Sequence, residues 1–229
     1  MAKSKKSQKE EKNIVAVEQA LSRSEQFIER HQNNIIYTVA IIVLLIAGYI
    51  GYTRFILEPR NREARAEMFM AEKYFERQDF ELALEGDAEY PGFLEIISDY
   101  RRTDAANLSR FYAGISLMQL GEWEEGIEFL EKFRKRDQLL GAMAFGAIGD
   151  AYWQLGDTER AARYYRRAYE YKPNDLTTPA YLMKAGMLFE SEGRYADALS
   201  RYKRIRDEYR DSAEARDIEK YIARAEAKR

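Results

Sequence analysis

The sequence predicts an all-α protein: one apolar helix near the N-terminus, then a solenoid of stacked helical pairs closed by a charged helix. Three observations predict it. Residues Ile35 to Thr53, IIYTVAIIVLLIAGYIGYT, carry no charge. From about Ala64 onward apolar residues recur three and four apart, and Gly121, Gly156 and Gly193 punctuate the pattern at intervals of 35 and 37 residues. Four prolines and 13 glycines in 229 residues are too few for a turn-rich β fold.

Composition narrows the function classes. Lys and Arg number 37 and Asp and Glu 39, a net charge of −2 that gives no global reason to bind nucleic acid. With 46% hydrophobic residues, 33% charged residues and 17 tyrosines, the chain suits helices with wet faces and an aromatic-rich core. Cysteine is absent, which excludes disulfides, thiolate metal sites and a cysteine nucleophile. His31 is the only histidine and lies beside the apolar run, so the soluble part has no Ser-His-Asp arrangement. No phosphate loop, dinucleotide fingerprint or metal-ligand cluster is present. Neither catalysis nor a cofactor is expected.

Residues 1–13 read as a disordered basic tail with five lysines. Residues 14–33 read as an amphipathic juxtamembrane helix with Ile14, Val17, Leu21 and Ile28 on one face; it either lies on a membrane surface or docks on a membrane partner. Residues 34–54 form a transmembrane helix. The 19 uncharged residues within it span about 30 Å at about 1.5 Å per residue. Tyr37 lies at one end and Tyr49 and Tyr52 at the other, where interfacial aromatics belong. The apolar run, and the 34 residues before it, are both too long for a cleaved signal peptide, so an uncleaved signal anchor is expected. Seven basic residues precede the span, and Arg54, Arg60, Arg62 and Arg65 follow it. The flanks nearly balance, and the count leans to a cytoplasmic N-terminus. Residues 55–63 are a linker.

The repeat domain covers 64–229. Its best unit is 142–175, with Phe145, Ile148, Gly149 and Tyr152 on a first helix and Ala161, Tyr165 and Ala168 on a second. Gly156 ends the first helix, Asp157 caps the second, and Pro173 closes the unit. This pattern resembles the tetratricopeptide repeat (TPR) of about 34 residues. The same register fits 107–140, through Gly114, Leu117, Gly121 and Leu130, and 179–212, through Leu182, Gly186, Gly193, Ala198 and Tyr202. In the last unit Thr178 and Pro179 read as N-cap and first helical residue. A degenerate unit covers 64–106, with Gln78 where the others have glycine and an insertion, EGDAEYPG, at 85–92. Residues 213–229 form a cap helix with Ile218, Tyr221 and Ile222 to bury. The expectation is a right-handed TPR solenoid of about 3.5 repeats.

In TPR proteins the first helix of each unit lines a concave groove. The groove positions here are Met68 and Phe75, then Phe111, Ile115 and Met118, then Gly146, Asp150 and Trp153, then Met183, Met187 and Glu190. The row is apolar. Either it packs beneath neighbouring helices, or it receives apolar peptide segments, with methionines adapting to their shape. It holds no Lys, Arg or Asn of the kind that grips a peptide carboxylate.

A short tail, one span and a small TPR domain together resemble the bacterial YfgM-like family, ancillary subunits of the Sec translocon. The span at 35–53, the unit around Phe93–Phe133 and the unit at 142–175 carry the resemblance. It implies an inner-membrane protein with a cytoplasmic N-terminus and a periplasmic TPR domain. It further implies association with the SecYEG channel and a membrane-anchored periplasmic chaperone. The longer tail and the 85–92 insertion depart from the family pattern. A cytosol-facing TPR adaptor and a regulator of cell-envelope enzymes are the alternatives.

Overall fold

The computed structural model describes residues 30–229. The expected tail 1–13, and residues 14–29 of the expected juxtamembrane helix, lie outside the described residues. The chain divides into two units, Met1–Ile56 and Leu57–Arg229.

In the first unit, helix α1 occupies residues 30–52. Its apolar side chains, Leu44 and Tyr49 among them, are exposed on every side. By length and composition it is long and apolar enough to cross a membrane, and none of its apolar window is buried in the protein. Its hydroxyls are satisfied locally: Thr38 Oγ1 donates to Asn34 O at 2.8 Å, and just beyond the helix Thr53 Oγ1 donates to Ile50 O at 2.9 Å. A π-helical turn, Thr53–Leu57, comes next, shortly before Pro59. Proline has no N–H and its ring crowds the carbonyl four residues back, here that of Phe55; a wider turn accommodates both.

The second unit is a row of antiparallel helical pairs. They are α2 (Glu58–Glu76) with α3 (Phe80–Glu85), α5 (Asp104–Gln119) with α6 (Trp123–Lys132), α7 (Gln138–Gln154) with α8 (Thr158–Glu170), and α9 (Thr177–Ser191) with α10 (Tyr195–Glu208). Helix α4 (Phe93–Asp99) follows α3, and α11 (Ile218–Lys228) closes the row. One register governs all four pairs. Seven residues before each turn sits a small residue, Ala71, Gly114, Gly149 or Gly186, and five residues after it another, Ala83, Gly126, Ala161 or Ala198. All eight are buried. They let paired helices touch: a Cβ added to Gly186 would lie 2.3 Å from Tyr202 Cε1.

Each core cluster runs on from one pair into the next. Phe111, Met118, Ile127 and Leu130 of the second pair pack on Ala144, Ile148 and Ala151 of the third. Tyr165 and Tyr169 of the third join Leu182, Leu188, Tyr202 and Ile205 of the fourth, and Ile218, Ile222 and Ala225 of α11 cover that cluster. The spacing of these last three puts them on one stripe, each large apolar side chain contributing about 1.5–3 kcal/mol on burial. Polar bonds stitch the same seams. Tyr171 Oη donates to Lys135 O, Lys172 Nζ to Arg136 O at 2.5 Å, and Tyr164 Oη to Glu131 at 2.6 Å. No pair stands without its neighbour.

Each pair turns on a left-handed residue: Gly121 (φ 90°), Gly156 (φ 76°), Gly193 (φ 72°) and, in the first pair, Gln78 (φ 67°). A side chain in this region costs about 1–2 kcal/mol, partly offset by the chain entropy a glycine would lose on folding. Gln78→Gly is therefore expected to raise stability by about 0.5–1 kcal/mol, read as a higher denaturant midpoint. An unchanged midpoint would mean that the Gln78 backbone carries no strain.

The insertion closes on itself. Gly86 and Pro91 form an antiparallel bridge, and Asp87 Oδ1 accepts from the backbone N–H of Glu89 and Tyr90, both at 2.8 Å. Tyr74 Oη of α2 donates to Asp87 Oδ2, which fastens the turn to that helix. Helix α4 then resumes the interrupted second helix, and its buried Phe93 stacks on Tyr112 of α5 with ring centroids 5.2 Å apart. One local expectation is corrected: Thr178 does not cap α9. The helix starts at Thr177, and Asn174 Oδ1 accepts from the N–H of Leu176 at 3.0 Å and of Thr177 at 2.8 Å. The amide side chain one turn earlier reaches the orphan donors first, and Pro179 sits within the first turn, where no N–H is needed.

Candidate protein-binding groove

The first helices α2, α5, α7 and α9 present equivalent rows, one residue every three or four. On α7 the row is Leu139, Met143, Gly146, Asp150 and Trp153; at α9 it is Leu176, just before the helix, then Ala180, Met183, Met187 and Glu190, each 37 residues on. Gly146 is where the two helices meet, since a Cβ there would lie 1.9 Å from Tyr181 Cε1.

Apart from Gly146, the structure divides the ten groove residues named from sequence. Met68, Phe111 and Met118 are buried in the core, so no partner reaches them, and their place in the row is a packing place. Phe75 is half-buried and ringed by Phe80, Phe93 and Tyr112 at 5.6, 6.4 and 5.0 Å. Ile115 packs against the central cluster. Trp153 stands edge-on to Tyr165, and Met183 flanks the C-terminal cluster; both are half-buried. Met187 is the most open of the ten at 40% exposure. Sequence reasoning missed Leu139 (40% exposed), Met143 (42%) and Leu176 (67%). The signal was present: they extend the same stripe one to two turns toward the helix N-termini.

Asp150 and Glu190 are not waiting for a ligand. Asp150 accepts from Tyr165 Oη at 2.7 Å and from Lys184 Nζ at 2.6 and 2.8 Å. Glu190 accepts from Tyr202 Oη at 3.0 Å and from both arms of the Arg224 guanidinium, at 2.5 and 2.7 Å. In each case an acid on a first helix takes a tyrosine from its own pair and a cation 34 residues on. These two clusters brace successive elements and leave the groove with little net charge at its acids. The sequence showed the acids but not the cations, which belong to the next element.

The buried phenols carry an electrostatic consequence. Burial, aided by the Asp150 charge, raises the Tyr165 and Tyr181 phenols, and burial beside Glu190 raises Tyr202. Burial beside Arg167 brings Lys135 down to about 8. A phenol whose folded pKa is raised holds its proton where the unfolded chain has lost it, so stability falls as pH rises above 10. Lys135 acts oppositely between about 8 and 10.5, where only the unfolded state is protonated, and there stability rises with pH. Urea midpoints are thus expected to climb slightly from pH 8 to 10 and then drop steeply. A midpoint flat to pH 12 would contradict the burial of these phenols.

Family models described as tetratricopeptide repeat match residues 112–175 and 180–212. Over these residues the helical pairs match tetratricopeptide repeats. Among solved structures, the TPR-like repeats of a putative kinesin light chain from Podosopora anserina superpose with a TM-score of 0.56 at 14% identity, covering 74% of this chain and 87% of that one. MamA gives a TM-score of 0.49 at 18% identity, covering 72% and 91%. The kinesin light chain likeness concerns the fold alone. A curated relative, Protein FLUORESCENT IN BLUE LIGHT, chloroplastic, of Arabidopsis thaliana, is 25% identical over 126 residues. The match covers 52% of this chain and 39% of that protein, so the chain spans about two fifths of its relative's length. TPR folds are typically non-catalytic scaffolds for protein–protein interaction, and the fold here is of that kind.

Proposed function

We propose that this chain is a membrane-anchored TPR scaffold that holds apolar segments of partner proteins against the first-helix row of its last two repeats. The observation that carries this reading is the open stripe Leu139, Met143, Leu176 and Met187, four large apolar side chains at 40–67% exposure in equivalent register on α7 and on α9 with the residue before it. The other exposed apolar residues of the domain, Phe69, Leu82 and Leu120 among them, lie outside this stripe. Unbranched methionines suit partners of varied shape. The uncovered apolar helix α1 supplies the anchor in this reading. With the YfgM-like layout, the finer form is an ancillary Sec-translocon subunit whose TPR domain faces the periplasm. There it meets newly translocated chains and links SecYEG to a periplasmic chaperone.

A second reading, a cytosol-facing adaptor, is favoured by Arg54, Arg60, Arg62 and Arg65 directly after the apolar run. One experiment separates the two. The chain has no cysteine, so Ser191→Cys introduces a single exposed thiol. Labelling of intact cells by a membrane-impermeant thiol reagent would support the periplasmic form. Protection until lysis would overturn it in favour of the adaptor. Recovery of the protein in the soluble fraction, without detergent, would overturn the anchor itself.

A further inference from the structure

A second surface of the repeat domain has chemistry unlike the groove. Leu57, Arg101, Arg102, Arg110, Lys132 and Arg134 line an open cleft of about 600 Å³. It draws on the start of α2, the α4–α5 turn, α5 itself and the end of α6. Its acids are few: Glu128 lies 3.2 Å from Lys132, and Asp104 only approaches Arg134, at 3.9 Å. Among the described residues, Arg101, Arg102 and Arg110 make no carboxylate pair within 4 Å. Arg101 and Arg110 spend donors on their own helix-end carbonyls, Ser98 O and Ala106 O, at 3.1 Å each, and these contacts hold the guanidinium planes in place without neutralising them. Burial, and to a lesser degree the neighbouring Arg134 charge, lowers the Arg110 pKa.

We propose that this cleft binds the phosphate headgroup of an anionic glycerophospholipid. Planar guanidinium groups match phosphate oxygens two at a time. Leu57 adds one apolar wall. The lipid is favoured over a free anion by the chain's own order: Leu57 follows the uncharged run ending at Thr53 by four residues, about 6 Å of helical rise. Four residues of chain reach at most about 14 Å, so the Leu57 wall of the cleft stays within reach of the end of a span, near headgroups where anionic lipid is concentrated and basic residues are attracted. The inference rests on reading α1 as a membrane span.

The test uses the full chain in neutral detergent, with native mass spectrometry counting retained phosphatidylglycerol and phosphatidylcholine. Wild type is expected to retain phosphatidylglycerol preferentially. Arg102→Gln combined with Arg134→Gln is expected to reduce that preference on the order of tenfold, while Arg102→Lys keeps most of it. Arg62→Gln with Arg65→Gln, exposed on α2 and not among the residues lining the cleft, is expected to leave it unchanged. All four positions are exposed, and an unchanged helical circular dichroism spectrum confirms folding. Equal retention of the two lipids, equal loss from both double variants, or displacement of phosphatidylglycerol by millimolar inorganic phosphate would each overturn the proposal. Membrane fractionation of cells reports the span regardless of the cleft, so failure of the anchor and failure of the cleft are distinguishable.

Discussion

Replacing Tyr202 with alanine is expected to lower the stability of the purified protein by about 4 kcal/mol, in the range for removing a fully buried aromatic side chain. Tyr202 has no exposed surface, faces Gly186 at van der Waals closeness, and packs at 5.5 Å from the Tyr221 ring of the cap helix. Truncation opens a cavity where α9, α10 and α11 meet and leaves Glu190 with only Arg224. Tyr202→Phe keeps the volume and loses the bond to Glu190, a cost of about 1 kcal/mol. Because repeats are stabilised mainly by their neighbours, the alanine variant should fray from the C-terminal end. Hydrogen exchange is expected to accelerate across α10 and α11 before α5 and α6. Uniform acceleration along the whole domain would show that the repeats are more tightly coupled than their pairwise packing implies.

The second large effect belongs to the groove. Met143→Glu combined with Met187→Glu places two charges on the open apolar stripe. It is expected to weaken partner binding at least tenfold, about 1.4 kcal/mol or more, as for substitutions at the centre of an interface. Both side chains are at least 40% exposed, so the denaturant midpoint should move little. Charging Leu94, an exposed apolar residue on α4 outside the row, should leave binding intact. Loss of binding in that control as well would point to solubility, not to a groove.

The residues behind these two predictions were unequally legible in the sequence. Tyr202, Gly186 and the turn glycines stand out because intra-repeat packing repeats with the chain, and a position seven before a turn must be small whichever repeat it lies in. Gln78 showed in the same way, as a residue where the other repeats have glycine, and its φ of 67° lies in the same left-handed region as theirs. The cap of α9 was misjudged because Asn174, Thr177 and Thr178 all offer capping oxygens, and only the backbone path decides between them. The groove was harder. Helical spacing says which residues share a face, but not whether the next element covers it. Met118 and Trp153 occupy one register position, yet Met118 is buried against Gly126 and Trp153 is half open. Lys184 and Arg224 escaped notice because their partners lie 34 residues away, two helices earlier. The basic cleft, drawn from four separate segments, has no linear signature.

Site-specific photo-crosslinking in native membranes tests the central claim most directly. A photoreactive residue is placed at Met187 in the groove and, separately, at Arg166 on the exposed face of α8. The scaffold reading predicts a discrete protein adduct from position 187 that Met143→Glu abolishes, with none from position 166. Adducts of equal yield from both positions, or none from position 187 in intact membranes, would contradict it.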